Sequence, residues 1–481
     1  MIKRILIALS LLVSIGASFY LGQMSVEPGY TGDTEITDAV FLEVLDALMK
    51  DHFSQPDKTL LMEGAVQGMI ESLDDPHSTF FDITEYQEYR SNFGESYVGI
   101  GVRVLFTDGL IIVEEVFDNS PAEAAGIRPS DIIVRVDGTD ITSQGYYDTL
   151  GMIAGDVGTD VTIGIRRPGV NDEIQLVLTR AEIENSSVEY TTYEASGQTI
   201  GYISVRQFGD ETAAKFSTAI DALEASGIDG LVVDVRYNGG GHLSAVLSML
   251  REFLVRNDKP MFTTEYYADG TLIRDDYYGS RDNLRDYNIV TLVNEGSASA
   301  SEVFASAMSE HAGYALVGTT TYGKGTMQID RVLRSTDGDR LHLSIGRWLT
   351  ADGNWVHFNG GSDGITPDLL VEPSAYEQAY KMFLFDGETL VVDTVDDRIA
   401  NLQLILEALG HDVRTDGYFD TATRDVVNGI KADHALPTDG IVDMAFLSVL
   451  NELLDGYLDD PANDTQLQAA IDHLVANPTL D

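Results

Sequence analysis

The chain has 481 residues, no cysteine, and 78 acidic against 30 basic side chains, a formal net charge of −48. That length calls for several domains, and the missing thiols exclude disulfides, thiolate metal sites, a cysteine nucleophile and a lipidated cysteine. A surface so acidic repels nucleic acid and anionic lipid, so no nucleic-acid partner is expected.

In chain order, MIKRILIALSLLVSIGASFYLGQ sets Lys3 and Arg4 before an apolar run from Ile5 to about Gly22. Residues 1–25 read as a signal or anchor segment, either cleaved near Ala17 and Ser18 or retained with its basic end inside. The expected location is the extracytoplasmic face of the cell envelope, with the protein membrane-anchored, or secreted if the segment is cut. From 34 to 92, AVFLEVLDALMKDHF and LLMEGAVQGMIESL space apolar residues three and four apart, as helices do. From 93 to 182, short alternating strands and many glycines take over. Between 183 and 380, the strand-like TIGYISV, GLVVDV, IVTLV and YALVGT alternate with helical stretches, and TMQIDRVL and RLHLSIGRWL are further strands. That order predicts an α/β core with a largely parallel sheet. A break at PSAYEQAYKMFLFDGE precedes a small all-α unit at 393–455, and the tail, 456–481, has room for one more helix.

Three loops carry candidate chemistry. NEGSASASEVF, 294–304, offers Ser297, Ser299 and Ser301 between a buried strand and a helix. Ser299-x-x-Glu302 is a capping box, which any helix start would favour. A serine at a helix N-terminus also sits beside unpaired N–H donors that can stabilise an oxyanion, so both readings stay open. TTTYGKGTMQID supplies Lys324 and Gln328, whose four-residue spacing puts them on one face of a strand. A lysine base needs its pKa brought well below about 10.4, and glutamine can orient an amine without adding negative charge. GTTTYGK also matches the start of a phosphate-binding loop, but Gly325 stands where Ser or Thr is needed and a strand-like run follows. In DVRYNGGGH, Gly239, Gly240 and Gly241 follow another buried strand and can bring N–H groups close to a ligand. A Ser–His hydrolase could draw on His77, His242 or His311, though none has a spacing that specifies a base. Nine scattered histidines without H-E-x-x-H predict no metal, and no cofactor is expected.

SYVGIGVRV, DNSPAEAAGI and PSDIIVRVDG resemble a PDZ domain. The resemblance makes Gly99, Ile100, Gly101 and Val102 the loop that receives a peptide carboxylate, and puts Ser130 where glycine is usual. NEGSASASE, YGKGTMQ, DVRYNGGG and MIESLDDPHSTFF together resemble the carboxy-terminal processing (tail-specific) proteases, Ser–Lys serine peptidases with an inserted PDZ domain. This implies Ser299 as nucleophile, Lys324 as general base, Gln328 as its orienter, and Gly240 and Ala300 as oxyanion donors. Tyr237 stands at a position that varies, and ADGNWVHFNGGSDGITPD is longer than the simplest family pattern. The stretch from LQLILEALG through DGYFDTAT to LPTDGIVD resembles a peptidoglycan-binding-like domain. The implied fold is multidomain α/β: a helical N-terminal region, a PDZ β-barrel, an α/β protease core with a cap, and a small all-α C-terminal domain. The implied partners are protein substrates with apolar C-termini, peptidoglycan, the membrane through the N-terminal segment, and a second copy through the N-terminal helices. The PDZ domain would either deliver substrate or gate the groove. The rival reading is a non-catalytic, anchored PDZ and wall-binding scaffold.

Overall fold

The computed structural model describes residues 37–479 apart from 92–95, 108–109, 143, 145, 169, 171, 185, 269, 335, 337, 358–363 and 385–386. The segment expected to anchor or be cleaved therefore lies outside the described residues, among which no helix is long and apolar enough to cross a membrane. The chain divides into two units, Met1–Pro76 and His77–Asp481. The first holds helices Asp38–Asp51 and Lys58–Glu71, the second started by Asp57, whose carboxylate accepts from Thr59 N–H. Of their side chains only Ile70 is buried. Val40, Val44 and Leu48 repeat at helical spacing on an exposed face, and Phe53 is 94% exposed.

The second unit is built around a six-stranded sheet in the order Val188–Ala195, Gln198–Val205, Gly230–Asp234, Asn288–Val293, Ala315–Gly318, Leu369–Leu370. The first two strands form an antiparallel hairpin and all later pairs are parallel. Every residue of Gly230–Asp234 and Asn288–Val293 is buried, because parallel strands need cover on both faces. Helices Thr212–Ser226, Leu243–Leu250 and Ala300–Ala312 cover one face through Phe216, Val246 and Phe304. The other face, with Val232, Val290 and Val317, is covered by Leu467, Ala470, Ile471 and Leu474 of helix Thr465–Ala476. Burying each leucine or isoleucine there is worth about 1.5–3 kcal/mol. The residues expected to be a tail are thus one wall of the core.

TMQIDRVL and RLHLSIGRWL do not join the parallel sheet. They form strands Thr326–Val332 and Arg340–Thr350 of an antiparallel sheet with Thr79–Phe81, Phe262–Ala268 and Thr271–Tyr277. Their partly exposed residues would not survive between two helical layers. HLSAVLSMLREFLV is helical only to Leu250; Phe253 and Leu254 enter the core from a turn.

The PDZ region is a sheet of Val102–Thr107, Leu110–Val116, Ile132–Val136, Asp160–Arg166 and Ile174–Thr179, with Thr139–Asp140 beside it. Ser96–Gly99 pairs with Ala181–Glu184 where the chain enters and leaves, as an inserted module requires. Ser130 has φ +69°, which explains the usual glycine at that position. Helices Asp397–Ala408, Thr421–Asp433 and Met444–Leu458 enclose a separate core around Leu402, Phe419 and Phe446, each started by an aspartate cap. Since Leu369–Leu370 and Thr465–Ala476 both belong to the sheet layers, this helical domain is an insertion in the core.

Candidate active site

The three alternating serines separate by burial. Ser297 and Ser301 are fully buried, and Ser299 between them is half-buried. Ser297 Oγ donates to the Val235 carbonyl at 2.8 Å and accepts from Asn294 N–H at 3.0 Å. Ser301 Oγ donates to the Asn238 carbonyl at 2.7 Å, and Ala298 N–H reaches the same oxygen at 3.0 Å. The outer hydroxyls therefore fasten the serine loop to the triglycine loop. Ser299 precedes the first turn of helix Ala300–Ala312 with φ 56° and ψ −111°, a conformation that only well-determined surroundings maintain. It resembles the strained strand-to-helix turn on which hydrolases present a nucleophile.

Glu302, buried completely, joins this loop to that of Lys324. Its Oε2 accepts from Ser299 N–H and Lys324 N–H, both at 2.8 Å. Its Oε1 accepts from Thr321 Oγ1 at 2.7 Å and Gly323 N–H at 2.6 Å. Burial pushes the Glu302 carboxyl above the usual glutamate range, against the hydrogen bonds from Thr321, Lys324, Gly323 and Ser299, which pull it down. The capping glutamate is thus also the tie between the two candidate catalytic loops. The Lys324 backbone is held further by Trp348 Nε1, which donates to its carbonyl at 2.9 Å.

Ser299, Ala300, Gly240, Lys324 and Gln328 line one cavity of about 620 Å³, with Trp348 in its wall. Lys324 lies before the strand Thr326–Val332, and the register slips between Met327 and Gln328. The unpaired residue at that slip, Ile345, lies in the partner strand Arg340–Thr350, and Lys324 and Gln328, four apart, both line the cavity. Gln328 Nε2 donates to Thr326 Oγ1 at 2.9 Å and Ser344 Oγ at 3.0 Å, which leaves its oxygen as the end able to accept from an amine. Ser344 N–H donates in turn to the buried Ser78 hydroxyl at 3.0 Å, so the DPHS segment supports the same corner.

Gly240 departs from expectation. Its backbone is so close to the serine that a Cβ would lie 2.9 Å from the Ser299 Cβ. Its N–H, however, donates to Asn238 Oδ1 at 2.9 Å, a local Asx turn, and is not presented to the cavity as an oxyanion donor. Gly239 and Gly241 also line the cavity. Ala300 opens its helix, where an N–H has no intrahelical acceptor.

The histidines separate too. His311 lies on the Ser299 helix, about 18 Å along it from the serine, with Nε2 on the Lys259 carbonyl at 3.1 Å. His77 is not among the cavity residues. His242 is, with Nδ1 3.0 Å from Asp210 and Nε2 3.3 Å from the Arg90 guanidinium. The phosphate-loop reading fails, since strand Thr326–Val332 follows Lys324 where a helix is required.

"Carboxy-terminal processing protease CtpB" of Bacillus subtilis (strain 168) is 32% identical over 433 residues, covering 90% of this chain and 88% of that protein. The chain belongs to peptidase family S41. The Peptidase family S41 model matches 199–371, a PDZ domain model 98–178, a peptidoglycan binding domain model 395–450, and the Activating protease CtpB N-terminal domain model 38–84. "Carboxy-terminal processing protease CtpA" of the same organism is 32% identical over 467 residues, covering 97% of this chain and 95% of that one. A solved photosystem II D1 C-terminal processing protease is 28% identical, covering 70% of this chain and 94% of its own, with a TM-score of 0.41. This S41 chain is therefore a serine-type peptidase of the carboxy-terminal processing group, carrying a PDZ domain.

In the PDZ domain of this S41 member, Gly101 has φ +82°, and a Cβ there would lie 2.2 Å from the Ser120 Cβ, so glycine is required. The Ile100 and Gly101 carbonyls accept from Ala122 and Phe117 N–H. Strand Val102–Thr107 pairs with Leu110–Val116 along one edge, and no described strand lies along its other edge. Sequence reasoning missed the positioning groups Asn238, Asn294 and Ser344, and gave Glu302 only the role of a cap. For Asn238 a signal existed: Asn-x-Gly before a helix marks an Asx turn.

Proposed function

We propose that this S41 peptidase cleaves protein tails with a Ser299–Lys324 pair at the extracytoplasmic face of the cell envelope. The observation that carries the reading is that Ser299, alone of the three alternating serines, is partly exposed, and shares one cavity with Lys324 and Gln328. Lys324, unprotonated, takes the Ser299 hydroxyl proton as Oγ attacks the scissile carbonyl. The oxyanion is received by Ala300 N–H and the N–H of Gly239 or Gly241. The amine leaving group then takes the proton from Lys324, and water hydrolyses the acyl-enzyme by the reverse sequence. Gln328, its nitrogen fixed by Thr326 and Ser344, offers its oxygen to the amine and keeps Nζ aimed at the serine.

The open edge of strand Val102–Thr107 and the Gly99–Val102 turn suit a substrate that adds as a strand with its terminal carboxylate in the turn. Apolar final residues are expected in such a groove. The inserted helical domain is proposed to bind peptidoglycan, and retention by purified sacculi tests it. The exposed apolar stripe of Asp38–Asp51 suits a second copy, which sedimentation tests. The basic, apolar N-terminus supports export, read by fractionation. The decisive assay is cleavage of a tailed peptide by protein lacking residues 1–25: Ser299→Ala should abolish it. Cleavage by that variant would favour a histidine-based site with another nucleophile, and no cleavage by the native protein would favour the scaffold reading.

A further inference from the structure

We propose that the terminal helix is part of the catalytic machinery: Asp464 and Gln466 hold Arg236, and Arg236 holds the triglycine loop against Ser299. This rests on the Ser299 reading and adds positioning residues to it.

Arg236 lies two residues beyond the central buried strand Gly230–Asp234, at the start of the loop. Its side chain is 12% exposed, and the guanidinium is shared between two carboxylates. Nε lies 3.1 and 3.0 Å from the Asp234 oxygens, and Nη2 donates to Asp234 Oδ2 at 2.7 Å. From the terminal helix, Asp464 accepts from Nη1 at 3.0 Å and from Nη2 at 2.7 Å, and Gln466 Oε1 accepts from Nη1 at 3.0 Å. Such a two-pronged pairing fixes a guanidinium in direction as well as charge. Burial opposes the charge, but Asp234 and Asp464 outweigh it and keep Arg236 above the ordinary arginine range. The helix side is equally fixed: Asp464 Oδ1 caps it from Leu467 N–H at 2.9 Å, and Gln466 Nε2 donates to the Val371 carbonyl at 2.8 Å.

One residue on, Tyr237 sits at φ +56°, with its N–H on Asn294 Oδ1 at 2.8 Å. A left-handed tyrosine persists only where both flanks are held. Serine-loop groups hold the far flank at Asn238 and reach the Val235 carbonyl on the near side, and Arg236 ties that near flank to the terminal helix. Without the Asp464 anchor the near flank can swing, and Gly240 and its neighbours lose their register with Ser299. The apolar face of the helix already secures it to the sheet, so the polar contacts to Arg236 are not needed merely to dock it.

The test uses the whole protein. Asp464→Asn removes the charge but keeps a good helix cap, so the helix start survives. Expected is a fall in kcat of about 10- to 100-fold, the size produced by slight misplacement of reacting groups. KM should stay within about twofold, and Tm should be nearly unchanged. Affinity for a peptide boronate, which becomes tetrahedral on the serine, should fall in step with kcat, while a cleaved product peptide binds as before. Gln466→Ala, which removes no charge, should show the same pattern more weakly and stands in should Asp464→Asn not fold. Unchanged kcat and boronate affinity would overturn the inference, as would losses that follow Tm alone. Ser299→Ala inactive beside a fully active Asp464→Asn sinks this inference only; an active Ser299→Ala sinks the Ser–Lys reading beneath it.

Discussion

The two candidate catalytic loops come from unlike parts of the molecule. Ser299 leaves a strand buried at every residue, and its loop is bonded to the triglycine loop through Ser297, Ala298 and Ser301. Lys324 lies just before, and Gln328 near the start of, an antiparallel strand whose last four residues are exposed and whose register slips beside Gln328. The proposed nucleophile therefore follows a fully buried strand and the proposed base a more exposed one, with Glu302 and the Gln328–Ser344–Ser78 chain joining them. A site divided in this way can be switched off by moving the base without disturbing the serine, which suits control by a neighbouring PDZ domain.

The largest effect tests the buried half. Ser299→Ala should lower kcat by about 10⁴-fold or more, while Ser297→Ala and Ser301→Ala, which lose only fastening bonds, should retain measurable cleavage and unfold at lower temperature. Equal losses in all three would erase the distinction between outer and middle serines.

Next comes the joint. Glu302→Gln presents an amide N–H to backbone donors that need an acceptor, and should lower kcat by about 100-fold. In the native protein the same carboxylate sets an acid limb. As pH falls through its raised pKa it protonates and loses acceptor capacity, so activity should decline above the ordinary glutamate range. Because folding raises this pKa, the group's contribution to stability is fullest below the unfolded value and lost as pH rises through the folded one. Acid inactivation through Glu302 should therefore precede unfolding, which parallel activity and circular-dichroism titrations can check.

The more exposed half predicts smaller, graded losses. Gln328→Ala should cost about 10-fold in kcat with KM little changed. Ser344→Ala, one hydrogen bond further out, should cost only a few-fold, in keeping with about 1 kcal/mol for a neutral bond. The smallest change lies in the PDZ domain. Ser130→Gly removes about 1 kcal/mol of left-handed strain and should raise that domain's unfolding midpoint without altering cleavage.

Much of this architecture was legible. Unbroken apolar runs such as GLVVDV and IVTLV announced buried parallel strands, because only strands covered on both faces tolerate that pattern. The serine loop, the lysine turn and the triglycine loop stood out by composition. What could not be read were contacts closed over long separations. Ser297 and Ser301 find their acceptors 62 and 63 residues away, so nothing local distinguishes them from Ser299. Arg236 meets Asp464 across 228 residues, and the tail therefore gave no sign of being a wall of the core. The Gly240 N–H, expected to face an oxyanion, donates instead to the Asn238 side-chain oxygen.

The central claim is that Lys324 deprotonates Ser299. Single-turnover cleavage of a tailed peptide by Lys324→Ala, followed across pH beside the native protein and Ser299→Ala, tests it most directly. Peptide binding should persist and no acyl-enzyme should accumulate at any pH. Acylation of Ser299 at the native rate in that variant would contradict it.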